Sequence, residues 1–176
     1  MKYLFVGAIL ILVIPNSAVA GQQASLTLQQ NDRNIKIYLN TSDQAINAVG
    51  IVINYDPEKV LVSDLNFDKS FCELFIEQVI DNQNGQIRIF CGLPTPGFSG
   101  KSSVASFSFK NLTDKASFSF DDETQVLAND GFGTNIRAKT NNLNIHFPTE
   151  PKVEPAIVER QWIISEALNS QSLTNA

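Results

Sequence analysis

From Gly21 to Phe147 apolar and polar residues alternate with a period of two. Gly, Pro, Asn or Asp interrupts the alternation about every ten residues, the pattern of an all-β sandwich or barrel. Strands are predicted at Ala24 to Gln29, Ile35 to Asn40, Ala45 to Asn54, Val60 to Leu65, Leu74 to Ile80, Gly85 to Phe90, Ser102 to Lys110, Ala116 to Phe120, Gln125 to Leu127 and Asn142 to Phe147. The clearest alternation is VASFSFK, which sets Phe107 and Phe109 on one face and Ser106 and Ser108 on the other; ASFSFD repeats it with Phe118 and Phe120. Two Phe-loaded strands imply two sheets whose inner faces meet over one core.

One apolar run, INAVGIVINYDPEKVLVSDL (Ile46 to Leu65), stops at Asp56-Pro57 and resumes at once. Asp56 suits an N-cap, Pro57 fixes φ at the first turn position and gives up a donor that would have no partner, and Glu58 suits the positive end of a turn. The stretch therefore reads as a strand, a capped corner and a second strand.

After Phe147 the composition changes to PTEPKVEP, which makes residues 149–155 an extended, Pro-rich linker and ends the β domain at 148. In the tail, 156–176, AIVERQWIISEALN spaces Ile157, Ile164 and Leu168 for one face of a short amphipathic helix, with Glu159, Arg160 and Glu166 elsewhere. The segment is either a frayed tail, a helix that docks on its own domain, or one that awaits a partner or membrane surface.

At the other end, residues 1–20 carry Lys2, an apolar run from Tyr3 to Ile14 and the small-x-small triplet Ala18-Val19-Ala20. This is the pattern of a secretory signal peptide, and its apolar run is shorter than the roughly 20 residues that span a bilayer. Its removal leaves a secreted domain with no membrane span. Secretion makes a disulfide between Cys72 and Cys91 the expected state of the two cysteines. A hairpin turn at Gln83-Asn84, however, sets Cys91 opposite Ile76. Either Cys72 lies off the hairpin and folds back, or both thiols are free and buried.

Charge narrows the partners. With 13 Lys and Arg against 18 Asp and Glu the net charge is −5, and no basic stripe is present, so nucleic acid is not an expected ligand. Chemistry is sparse as well. His146 is the single histidine and sits in a strand, with no second ligand at metal spacing. GFSGK (Gly97 to Lys101) is not a nucleophile elbow, and GFGTN at Gly131 precedes no helix. Asp121, Asp122, Glu123 and Asp130 crowd two turns. They read first as solvated turn residues, and otherwise as a calcium site or a carboxylate pair. No enzyme, cofactor or transition metal is expected.

Four stretches in order carry a family resemblance: INAVGIVINYDPEKVLVSDL, NGQIRIFCG (Asn84 to Gly92), GFSGKSSVASFSFK (Gly97 to Lys110) and VLANDGFGTNI (Val126 to Ile136). Together they resemble the cohesin domain family across residues 24–147. The resemblance implies a jelly-roll sandwich of about nine strands, a fold shared with carbohydrate-binding modules. It also implies a dockerin partner bound on one flat sheet face, in polysaccharide-degrading or surface assemblies. Cys72 and Cys91 stand outside the general pattern of that family.

The candidate partner face lies on the strands Leu74 to Ile80 and Gly85 to Phe90, with Glu77 and Arg88 as solvent-side members. Phe98 and Phe132, in Gly-containing loops, are either loop contacts or plugs over the sandwich end. The alternative is polysaccharide binding. Sugars stack best on Trp and Tyr, and between Gly21 and Pro148 there is no Trp, with only Tyr38 and Tyr55 among tyrosines.

Overall fold

The inward register of every long strand is loaded with Ile, Val, Leu or Phe, and the computed structural model folds these registers onto one another over residues 23–147. The expected leader (1–20), linker (149–155) and tail (156–176) lie outside the described residues. The strands are β1 Ala24–Asn31, β2 Asn34–Asn40, β3 Ile46–Tyr55, β4 Val60–Asn66, β5 Leu74–Asp81, β6 Gln86–Gly92, β7 Lys101–Asn111, β8 Lys115–Phe120, β9 Gln125–Ala128, β10 Arg137–Thr140 and β11 Leu143–His146. All ten predicted strands are present. Eleven strands are present among the described residues, where about nine are expected. The unforeseen element is β10, whose sequence RAKT has no apolar alternation and which is held by parallel main-chain pairing to β1.

Two sheets form the sandwich, in the orders β10-β1-β2-β7-β4 and β11-β8-β3-β6-β5, with β9 paired to β3 beside β8. Val49, Ile51 and Ile53 of β3 and Ile87 and Ile89 of β6 face Leu26, Ile35, Ile37 and Leu39 of the opposite sheet, all at most 1 % exposed. Phe118 is the hub: its ring centroid lies 5.5 Å from Phe107, 5.7 Å from Phe109 and 5.8 Å from Tyr55. Val104 and Phe107 are out of phase in strict alternation, yet both are buried. A register shift between β2 and β7 at Ile37/Tyr38 supplies the missing half-period.

The Asp56-Pro57 corner is a single hydrogen-bonded turn. The Asp56 carboxylate accepts from the Glu58 N–H (3.0 Å) and pairs with Lys59 Nζ (2.8 Å), and the Asp56 carbonyl accepts from the Lys59 and Val60 N–H groups. The Lys59 ammonium, and then the Glu58 N–H, hold the Asp56 carboxyl below its ordinary range. The tight β5–β6 hairpin returns past this corner. Gly85 adopts φ +68° there, and a side chain on it would run into the Tyr55 carbonyl, so glycine is required.

Cys72 and Cys91 are joined in a disulfide, with Cα atoms 5.7 Å apart. The simple hairpin register holds from Asp81↔Gln86 to Glu77↔Phe90. It then shifts, so that Cys91 stands opposite Phe75 instead of Ile76. Ile76 is the extra residue of a β-bulge, and Cys72 lies off the strand and folds back to the Cys91 sulfur.

Candidate functional site

The outer face of the β11-β8-β3-β6-β5 sheet can be read row by row from the strand registers. Leu127, Ala48, Gly92 and Leu74 form one row across β9, β3, β6 and β5. The next row is Gln125, Gly50, Phe90 and Glu77, with the bulged Ile76 beside it. Phe90 and Gln125 close over Gly50, where an added Cβ would lie 3.1 Å from each. Val52, Arg88 and Val79 follow, and then Asn54, Gln86 and Asp81. The face thus grades from an apolar end to a polar one. Leu74, Ile76 and Val79 are 56 %, 75 % and 42 % exposed, three of the six large hydrophobic side chains exposed among the described residues. A folded chain presents such a patch to water only at a cost, which contact with a partner removes.

Glu77 and Arg88, foreseen on this face, meet there. Arg88 Nε donates to Glu77 Oε1 at 2.9 Å and Nη1 donates to Glu123 Oε2 at 3.1 Å. The two carboxylates, Glu77 first, hold the guanidinium still more firmly protonated. These groups are partly solvated, so the network adds little to stability. Its effect is to fix one positive charge between two negative ones in the middle of the face.

Glu123 reaches Arg88 because the β8–β9 loop is clamped to β3. Between β8 and β9 the β3 ladder has a gap at Val52, and Thr124 fills it. Its hydroxyl, fully buried, accepts from the Val52 N–H (3.1 Å) and donates to the Val52 carbonyl (3.0 Å). Asp121 completes the clasp: its N–H donates to the Val52 carbonyl, and its carboxylate accepts from the Glu123 N–H and from Asn54 Nδ2. Those bonds, the Glu123 N–H first, lower the Asp121 pKa.

Sequence reasoning missed Leu74, Ile76, Val79, Phe90 and Thr124 on this face, and placed Glu123 with the acidic turn residues instead of beside Arg88. One signal was available: LFIEQVI does not alternate cleanly, as expected when both faces of a strand are apolar. Phe98 is stacked on Phe71 at 4.7 Å and packs on the core as a plug. Phe132 projects from the β9–β10 loop at 91 % exposure. Beneath it, the Asp130 carboxylate gathers the Phe132 and Gly133 N–H groups and the Thr134 hydroxyl. Thr134 is the first cause of a lowered Asp130 pKa.

Asp121 and Asp130 thus spend their oxygens on turn donors. Among the described residues no three His, Cys, Asp or Glu side chains converge as a metal-ligand set. His146 is exposed in β11. On the opposite sheet a shallow groove of about 260 Å³ is lined by Ser25, Thr27, Gln29, Tyr38, Asn40 and Lys101, with one aromatic ring.

Solved structures share this architecture. A cohesin from Clostridium acetobutylicum aligns with a TM-score of 0.58 at 17 % identity, covering 74 % of this chain and 94 % of its own. The chain has the cohesin fold. A cohesin of Acetivibrio cellulolyticus ScaC, solved in complex with the ScaB dockerin, aligns with a TM-score of 0.59 at 15 % identity over 72 % of this chain and 99 % of that one. A non-cellulosomal cohesin from Archaeoglobus fulgidus gives 0.56 at 16 % identity over 72 % and 92 %. No protein-family model and no curated protein matches the chain. The cohesin fold extends over the described β domain.

Proposed function

We propose that this chain is a secreted, non-catalytic recognition module that binds a dockerin-like protein partner through the outer face of β3, β5, β6 and β9. The observation that carries the reading is the apolar half of that face, Leu74, Ile76 and Val79 with Phe90 and Leu127, set beside the fixed Glu77–Arg88–Glu123 network. A flat apolar patch with a localised charge pair suits a folded protein surface: the apolar area supplies affinity, and the charges set orientation. A cohesin of the same fold bound to a dockerin supports this choice of partner. The disulfide and the signal-like leader support secretion. Polysaccharide suits the face less well, because it carries one aromatic ring, Phe90, and no Trp or Tyr.

The test is capture of a purified dockerin module by the secreted chain, run beside retention on polysaccharide gels. Capture that is lost on Ile76→Asp, with folding intact, supports the reading. Retention by polysaccharide with no dockerin captured overturns it.

A further inference from the structure

The apolar half of the face has a second candidate occupant, within the chain itself. Beyond Phe147 run residues 148–176, which include the apolar series Ile157, Ile164 and Leu168. The chain leaves the fold from β11, which belongs to the same sheet as the face. Its exit, level with Lys115, stands about eight residues along the sheet and three strands across from Phe90 on β6, roughly 30 Å away at ~3.3 Å per residue and ~4.8 Å per strand. The segment Pro148 to Pro155 holds three prolines and spans about 25 Å when extended. A helix over Ala156 to Asn169 adds about 21 Å. Leu74, ten residues along and four strands across, lies roughly 38 Å from the exit, while an extended linker carries Ile164 to about 37 Å and Leu168 to about 43 Å, so the segment reaches the Leu74–Ile76–Phe90 region near full extension.

Charge fits at one position, Arg160, within a segment that carries Glu150, Glu154, Glu159 and Glu166 against Lys152 and Arg160. The face carries Glu77, Asp81 and Glu123 against Arg88, with Asp122 beside Glu123. At helical spacing Arg160 falls beside the Ile157–Ile164–Leu168 stripe, while Glu159 and Glu166 fall on the opposite side.

We propose that Ala156 to Asn169 is an intramolecular ligand of this face, laying Ile164 and Leu168 against Leu74, Ile76 and Phe90 and competing with the external partner. The competition rests on the binding face proposed above; the docking does not. A linked segment acts at high effective concentration, so modest intrinsic affinity is enough to occupy the face. The external partner then meets a fraction of open molecules, and its apparent affinity falls by that fraction, roughly tenfold for nine-tenths occupancy.

The experiment compares amide NMR spectra of the full secreted chain with those of the full chain carrying Ile164→Glu and Leu168→Glu, both at several concentrations. The expected result is a set of shift changes at Ala48, Glu77, Val79, Arg88 and Phe90, independent of concentration and absent from β1, β2 and β7. Adding a synthetic peptide of residues 156–176 to the double variant should restore the original shifts. Identical β-domain spectra overturn the proposal. So do differences that vanish on dilution, which would place the segment on a second copy. Both proteins are then offered a purified dockerin module. Shift changes with capture by neither protein refute the dockerin reading and leave the docking standing, whereas capture without shift changes does the reverse.

Discussion

Replacing Thr124 by Val tests whether the clasp at Val52 is what holds the β8–β9 loop in place. The two side chains are nearly the same size, and the site is fully buried, so no cavity opens. What disappears is the hydroxyl, which serves both polar groups of Val52. The two losses are unequal. The Val52 carbonyl still accepts from the Asp121 N–H at 2.8 Å, whereas the Val52 N–H is left without a partner. One buried orphan donor costs about 1–3 kcal/mol. For a domain of this size a loss of ~2 kcal/mol lowers Tm by about 8 °C. Urea denaturation should show a lower midpoint with an unchanged m-value. Thr124→Ser keeps the hydroxyl and gives up one methyl group, so it should cost less, about 1 kcal/mol. A Val variant within about 0.5 kcal/mol of wild type, or a Ser variant less stable than the Val variant, would refute the reasoning. Because Glu123 adjoins the clasp, dockerin capture should also weaken in the Val variant under conditions where it remains fully folded.

Other outcomes follow from the same geometry. Arg88→Ala leaves Glu77 and Glu123 facing each other unpaired, so capture of a dockerin module should fall about tenfold or more (~1.4 kcal/mol) while urea stability shifts by less than ~1 kcal/mol; a large stability loss with capture intact would assign Arg88 to the fold. Replacing both Cys72 and Cys91 by Ala opens a loop of 19 residues and should cost about 3 kcal/mol in urea. An unchanged midpoint would show that the Phe71–Phe98 stack and neighbouring packing hold this region without the bond. The Tyr55 hydroxyl donates to Asn82 Oδ1, and burial, with Asp81 second, raises its pKa to about 12. Its contribution is fully present below the ordinary tyrosine value near 10 and is lost as pH rises through about 12, so alkaline unfolding should be less steep over that window in Tyr55→Phe. Equal slopes in the two proteins would refute this.

The β-sandwich was legible because its evidence is local. Phe107, Phe109 and Phe118 alternate with serines, and Asp56-Pro57 punctuates the chain, so each strand announces itself within a few residues. What escaped depends on main-chain pairing between distant segments. β10 exists because β1 offers a free edge to a sequence with no pattern of its own. The Cys72–Cys91 geometry was obscured by a single bulged residue, Ile76, which moves every later pair by one position. The site shows the same division. Glu77 and Arg88 were readable as solvent-side charges on adjacent strands. Glu123 was not, because its arrival depends on Thr124 bonding to a residue 72 positions away.

The bulge also limits what the exposed patch can pair with. A regular β5 would offer a long, flat, apolar edge to any other strand, the arrangement that leads to edge-to-edge aggregation. At Ile76 the extra residue breaks the spacing of main-chain donors and acceptors that a pairing strand would need, while leaving Leu74, Ile76 and Val79 exposed. The edge is thereby made poor for strand addition and remains suitable for side-chain contact. On the binding face proposed above, a partner would therefore approach across the sheet, over Phe90 and Arg88, and would not extend it at β5. Removing the bulge by deleting Ile76 should favour self-association through β5, visible as a concentration-dependent rise in mass by light scattering, and should weaken dockerin capture. A deletion variant that stays monomeric and captures normally would show that the extra residue protects nothing.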